Sequence, residues 1–99
     1  MLDVFLNYLV GGAYKILTSY EADNGGDKYF SYLDSLSSDV MGAFRTFPEL
    51  GSNKHYIKAA NLINFLRGEP VAHYRCRRLT FEIISEIDLA RAERGGEPR

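Results

Sequence analysis

The chain has little cysteine, little net charge and no long uninterrupted apolar run, and each absence excludes a class of protein. One cysteine among 99 residues rules out an internal disulfide and therefore a disulfide-stapled secreted miniprotein. Lysine and arginine number 12 against 13 acidic residues, so this is not the strongly basic domain typical of nucleic-acid binding. A hydrophobic content of 45% nevertheless predicts a folded chain, and the length allows one compact domain.

The N-terminal segment, residues 1–17, is apolar but is interrupted by Asp3, Asn7 and Lys15. It is too short to cross a bilayer, which needs about 20 apolar residues. It also has neither the basic start nor the small-residue cleavage site of a signal peptide. No asparagine lies in an N-x-[ST] glycosylation motif. We therefore expect an intracellular, cytoplasmic location.

Three stretches rich in glycine, proline, aspartate and asparagine divide the chain, at residues 23–26, 46–53 and 68–70. The segments between them are of helical length and repeat their apolar residues at helical spacing. They cover residues 2–22, 27–44, 54–67 and 71–94. Short connections between amphipathic helices favour antiparallel packing. The sequence predicts one all-α domain over residues 1–94, a bundle of about four helices, followed by a disordered tail at residues 95–99.

An alternative fold depends on residues 78–84, where Leu79, Phe81 and Ile83 alternate with other residues as in an edge strand. A strand there would make the fold α+β. The helical interpretation is favoured because the segment continues to Arg94 through good helix formers.

Several single residues carry local predictions. Gly12, inside the first helix, predicts close approach of another helix, the alternative being a kink. Asp27 is expected to cap the second helix, and Ser52 or Asn53 the third. Ser37 lies within the apolar face of the second helix, and we expect its hydroxyl to bond back to a backbone carbonyl.

No arrangement of residues indicates catalysis or a metal site. His73 and Cys76 are three apart on one side of a helix, but a metal needs three or four converging ligands. Glu82 and Glu86 are predicted to belong to a solvated series of ion pairs with Arg78, not to an acid–base pair. The sequence therefore predicts a non-enzymatic protein without metal or other cofactor.

The best functional indication is that the last two predicted helices contain more apolar residues than one buried face can hold. The apolar residues outside the main face are either buried between two neighbouring helices or form an exposed patch that binds a partner. Tyrosine, phenylalanine and arginine are enriched at interface centres. The candidate partner-binding residues are Phe65, Tyr74, Arg77, Phe81 and Ile84. They predict a small protein that acts by binding another protein, as an inhibitor, an immunity or antitoxin partner or an adaptor, or that forms a homodimer.

A nucleic-acid-binding regulator is the alternative, because charge is unevenly distributed along the chain. Residues 1–52 contain three basic and seven acidic residues, whereas residues 53–99 contain nine basic and six acidic residues. A basic surface neutralises phosphates, and tyrosine can stack on bases. The candidate nucleic-acid contacts are Lys54, Lys58, Arg75, Arg77 and Arg78.

Overall fold

A computed structural model describes the backbone of residues 1–95 and the side chains of residues 1–93. The described chain is helical and contains no strand. Its elements are α1 (Leu2–Asp23), α2 (Asp27–Thr46), a 3-10 helix (Pro48–Ser52), α3 (Lys54–Gly68) and α4 (His73–Gly95). The predicted all-α bundle is confirmed, with bounds within two residues of those expected. The alternative strand near residues 78–84 is wrong, since these residues lie inside α4, and residues 96–99 of the predicted tail lie outside the described residues.

The four helices form a closed ring of neighbours in which α1 contacts α2 and α4, and α3 contacts the same two helices. Helices α2 and α4 therefore lie at opposite corners. Antiparallel pairing of α1 and α4 is visible in three successive contacts along the two helices. These are Asn7 with Arg91, Tyr14 with Phe81, and Glu21 with His73.

The apolar stripes of all four helices meet in one core. Burying a leucine or isoleucine side chain contributes about 1.5–3 kcal/mol, so this shared core is what stabilises the bundle. The side chains without exposed surface include Leu6, Ala13, Ile16, Leu33, Leu50, Tyr56, Leu66, Cys76, Ile83 and Ala90. The 3-10 helix contributes to the core through Leu50, because it turns the chain between α2 and α3 with this residue facing inwards.

At Gly12, α1 and α2 approach each other closely. A Cβ atom at this position would lie 3.2 Å from Leu36 Cδ1 and 3.2 Å from Tyr32 Oη. The Tyr32 hydroxyl donates a hydrogen bond of 2.7 Å to the Gly12 carbonyl oxygen. The predicted close approach is confirmed, and α1 continues through the glycine without a break.

Capping of α3 is as predicted, whereas capping of α2 is not. The Asn53 carboxamide oxygen accepts hydrogen bonds from the backbone N–H groups of His55 and Tyr56, at 3.1 Å each. At α2 the capping carboxylate belongs to Asp23, which accepts from Lys28 N at 2.8 Å. Asp27 is the first helical residue instead, because the turn before it folds Asp23 back over the helix start.

Ser37 joins two helices instead of bonding to its own. Its hydroxyl donates to the Asn64 carboxamide oxygen on α3 at 2.6 Å. The expected bond to a backbone carbonyl is therefore wrong. A neighbouring side chain at a tight interface offers the hydroxyl an acceptor outside the helix, which periodicity within α2 could not reveal.

Candidate protein-binding surface

Tyr74, Arg77 and Phe81 share the solvent side of α4. They lie three and four positions apart, a spacing that brings side chains together along one helix face. Since α4 packs between α1 and α3, the side away from both faces water. Tyr74 is 73% exposed and Phe81 is 45% exposed. Together with Arg78, these residues are called the α4 outer face below.

The Phe81 ring is held from two sides. The Arg77 guanidinium carbon lies 5.8 Å from the centre of the ring, within cation–π range. Tyr14 of α1 meets the same ring edge-on, with ring centroids 6.4 Å apart and an interplanar angle of 80°. Tyr14 is itself 52% exposed. The ring is thus restrained while part of its surface remains available for contact.

Phe65 and Ile84 do not join this group. Phe65 lies on α3, where the Arg75 guanidinium carbon is 5.3 Å from its ring centre, on the other flank of α4. Ile84 is only 7% exposed and belongs to the core. The expectation that Ile84 belongs to an exposed patch is therefore wrong. Because α4 has a neighbouring helix on each flank, α1 and α3, its buried surface is wider than one apolar stripe.

The basic residues predicted for nucleic acid fall into two separate groups. Arg75, Arg77 and Arg78 occupy the first two turns of α4. Since α3 and α4 run antiparallel, Lys58 of α3 lies beside Glu86, further along α4 than the arginines. Glu86 is eleven residues beyond Arg75, which corresponds to about 16 Å along the helix axis. Lys58 Nζ is 3.5 Å from Glu86 Oε2 and is thereby partly neutralised. The structure does not bring these cations together into one patch.

Glu86 takes part in a buried contact that the sequence did not indicate. It is 8% exposed, and its Oε1 lies 2.8 Å from His55 Nδ1 of α3. Burial acts to raise the pKa of Glu86, but the His55 hydrogen bond and the Lys58 charge outweigh it and lower the pKa. The predicted solvated ion pairs with Arg78 are wrong for both Glu82 and Glu86, since no described carboxylate lies within ion-pair distance of Arg78. No spacing within α4 could have revealed a contact with α3.

His73 and Cys76 do not converge on a common point. Cys76 Sγ is fully buried, 3.6 Å from Tyr29 Oη and 4.0 Å from Thr80 Oγ1. Burial raises the pKa of this thiol. His73 is exposed and its Nε2 lies 3.0 Å from Glu21 Oε2. Within the part of the chain that the structure describes, no three histidine, cysteine, aspartate or glutamate side chains gather as metal ligands would.

Comparison with known proteins adds no function to this geometry. No family model matches the chain, and neither a curated protein nor a solved structure matches it significantly. Over residues 1–95, no helix combines the length and the apolar character that crossing a bilayer requires.

Proposed function

We propose that the chain acts by binding another protein through the α4 outer face, without catalysing a reaction. The observation that carries this proposal is the exposure of Tyr74 and Phe81 on one helix face, with Arg77 held over the Phe81 ring. Aromatic and arginine side chains are the types that dominate binding energy at interface centres. Restraint by Tyr14 lowers the entropy that Phe81 loses when a partner covers it.

The partner surface is expected to be acidic. No acidic residue lies between Glu69 and Glu82, while that segment contains Arg75, Arg77 and Arg78. Among the described side chains, none of these arginines has a carboxylate within ion-pair distance. A partner that supplies carboxylates would complete their pairing and would raise the association rate.

A second copy of this chain fits the surface poorly. Pairing two α4 outer faces about a twofold axis would bring Arg77 and Arg78 of the two copies together, and like charges repel. Contact between α4 of one copy and α2 of the next would join opposite corners of the bundle, and such head-to-tail contacts need not close. We therefore favour a different protein over the homodimer, in the manner of an inhibitor, an immunity or antitoxin partner or an adaptor.

Site-specific photo-cross-linking tests this proposal. A photoreactive residue replaces Ser85, which is exposed one turn beyond Phe81, or Ser35, which is exposed on α2. The expected result is one protein adduct at residue 85, none at residue 35, and loss of the adduct as salt rises. An adduct at both positions, or a nucleic-acid adduct in place of a protein, would overturn the proposal.

Matched alanine variants separate binding from folding. Phe81→Ala should abolish the cross-link while helical circular dichroism is unchanged, because the ring is half exposed. Val4→Ala is the control, since Val4 is an exposed apolar residue of α1 away from α4. Loss of helical signal in Phe81→Ala would show that the ring is part of the core and would refute its role in binding.

A further inference from the structure

A cleft between α1 and α2 lies away from the α4 outer face, because α2 occupies the opposite corner of the bundle. Its volume is about 400 Å³. Pockets that hold small molecules range from roughly 300 to 1,000 Å³, so a small ligand fits. Its lining includes Phe5, Tyr8, Asp39, Gly42 and Phe47.

One wall of the cleft is a row of aromatic rings. The Phe5 and Phe47 ring centroids are 5.7 Å apart with planes inclined at 29°. The Phe5 and Tyr8 centroids are 6.3 Å apart with planes inclined at 31°. Aromatic faces carry negative electrostatic potential and attract cations within about 6 Å. The wall therefore suits a ligand with an apolar body and a positive group.

A carboxylate of α2, Asp39, also lines the cleft. Asp39 accepts a 2.9 Å hydrogen bond from the Tyr8 hydroxyl, which leaves other carboxylate lone pairs available. No lysine, arginine or histidine among the described side chains lies within ion-pair distance of it. This hydrogen bond and the nearby carboxylate raise the pKa of Tyr8.

Gly42 of α2 lines the cleft without a side chain. A Cβ atom at this position would meet no atom within 4 Å. Glycine inside a helix costs about 1 kcal/mol relative to alanine, and no close helix packing accounts for Gly42 as it does for Gly12. The missing side chain leaves space beside Asp39.

We propose that this cleft binds a small organic ammonium ion, with its positive group at Asp39 and its apolar body on Phe5 and Phe47. The rings and the carboxylate together favour this chemistry, since a neutral apolar ligand would form no ion pair with Asp39 and a strongly hydrated inorganic cation would gain little from the rings. This inference is independent of protein binding by the α4 outer face.

Nuclear magnetic resonance titration of the full chain tests the proposal, with 2-phenylethylammonium as the probe and 2-phenylethanol as its uncharged counterpart. The ammonium probe should shift the backbone amide signals of Ser38 and Gly42, and the alcohol should bind more weakly. Asp39→Asn keeps an acceptor for the Tyr8 hydroxyl but removes the charge. It should weaken ammonium binding by up to about fivefold, the upper end of the range for an exposed ion pair.

Two leucine variants form the matched control. Gly42→Leu places a side chain in the cleft beside Asp39 and should abolish binding. Gly11→Leu places the same side chain at another exposed helical glycine, where a Cβ also meets nothing within 4 Å, and should leave binding unchanged. Equal binding of the alcohol, equal loss in both leucine variants, or no shift at millimolar probe would overturn the proposal. Tighter binding of N-acetyl-lysine methylamide would also overturn it, by assigning the cleft to a partner's lysine.

Discussion

Two adjacent glycines of α1 meet opposite surroundings, so the same substitution should have opposite effects at the two positions. A Cβ at Gly11 would meet no atom within 4 Å. Alanine is better than glycine inside a helix by about 1 kcal/mol, mainly because glycine loses more backbone freedom on folding. Gly11→Ala should therefore raise the free energy of unfolding by about 1 kcal/mol.

Gly12→Ala gains the same helix propensity but must fit a methyl group against α2. The two nearest atoms, Leu36 Cδ1 and Tyr32 Oη, are both at 3.2 Å, closer than ordinary van der Waals contact. Neither can yield freely, since Leu36 is buried and the Tyr32 hydroxyl is held by its bond to the Gly12 carbonyl. Overpacking costs typically about 1–3 kcal/mol, so the net change should be a loss of about 1 kcal/mol.

Thermal unfolding followed by circular dichroism measures the difference. For a domain of this size, 1 kcal/mol corresponds to a shift of roughly 4–8 °C in Tm. Gly11→Ala should melt above the parent and Gly12→Ala below it. In a Tyr32→Phe background, which removes one of the two contacting atoms, the penalty at position 12 should shrink. Equal stabilisation by both alanine variants would refute the close approach of α1 and α2 at Gly12.

Three further measurements test other parts of the structure. The lowered pKa of Glu86 implies a contribution to stability that is full above its ordinary value of 4.5 and is lost as pH falls through the lower folded value. In urea unfolding, the parent should therefore have a higher free energy of unfolding than Glu86→Gln near neutral pH, and this difference should disappear on acidification. A difference that did not depend on pH would contradict the ion pairing. Cys76 should react with a thiol reagent at pH 8 far more slowly in the native protein than in denaturant, because its thiol is buried with a raised pKa; equal rates would show that the site is open. Ile84→Ala should cost about 2–5 kcal/mol and Phe81→Ala much less, in keeping with their burial; chemical denaturation of both variants checks the order.

The helix bounds were predictable because each is determined by nearby residues. Apolar spacing gave the length of every helix, and turn residues gave the connections. The Asn53 cap was also predictable, since its acceptor reaches backbone groups only two and three positions away. The Asp23 cap was not, because its reach depends on the backbone of Asn24 and Gly25, which have positive φ angles of 52° and 71°.

The surface was predictable only in part, for a related reason. Helical spacing placed Tyr74, Arg77 and Phe81 on one side of α4. It could not show that α4 has neighbours on both flanks, and this determines the burial of Ile84 and the pairing of Glu86. Nor could it show that Tyr14, 67 positions before Phe81, supports the same ring.

The neighbouring position of α1 and α4 has a consequence for the order in which the fold is completed. The seam between α1 and α4 joins residues as far apart as Asn7 and Arg91, 84 positions along the sequence, whereas every other pair of described elements in contact is consecutive or nearly so. Loop closure over longer separations costs more chain entropy, so we expect this seam to form after the local helix pairs. Until α4 has been synthesised, the side of α1 that it will cover stays open to water. A nascent chain that ends before α4 thus presents an incomplete core, and the last helix converts an open row of three helices into a closed bundle.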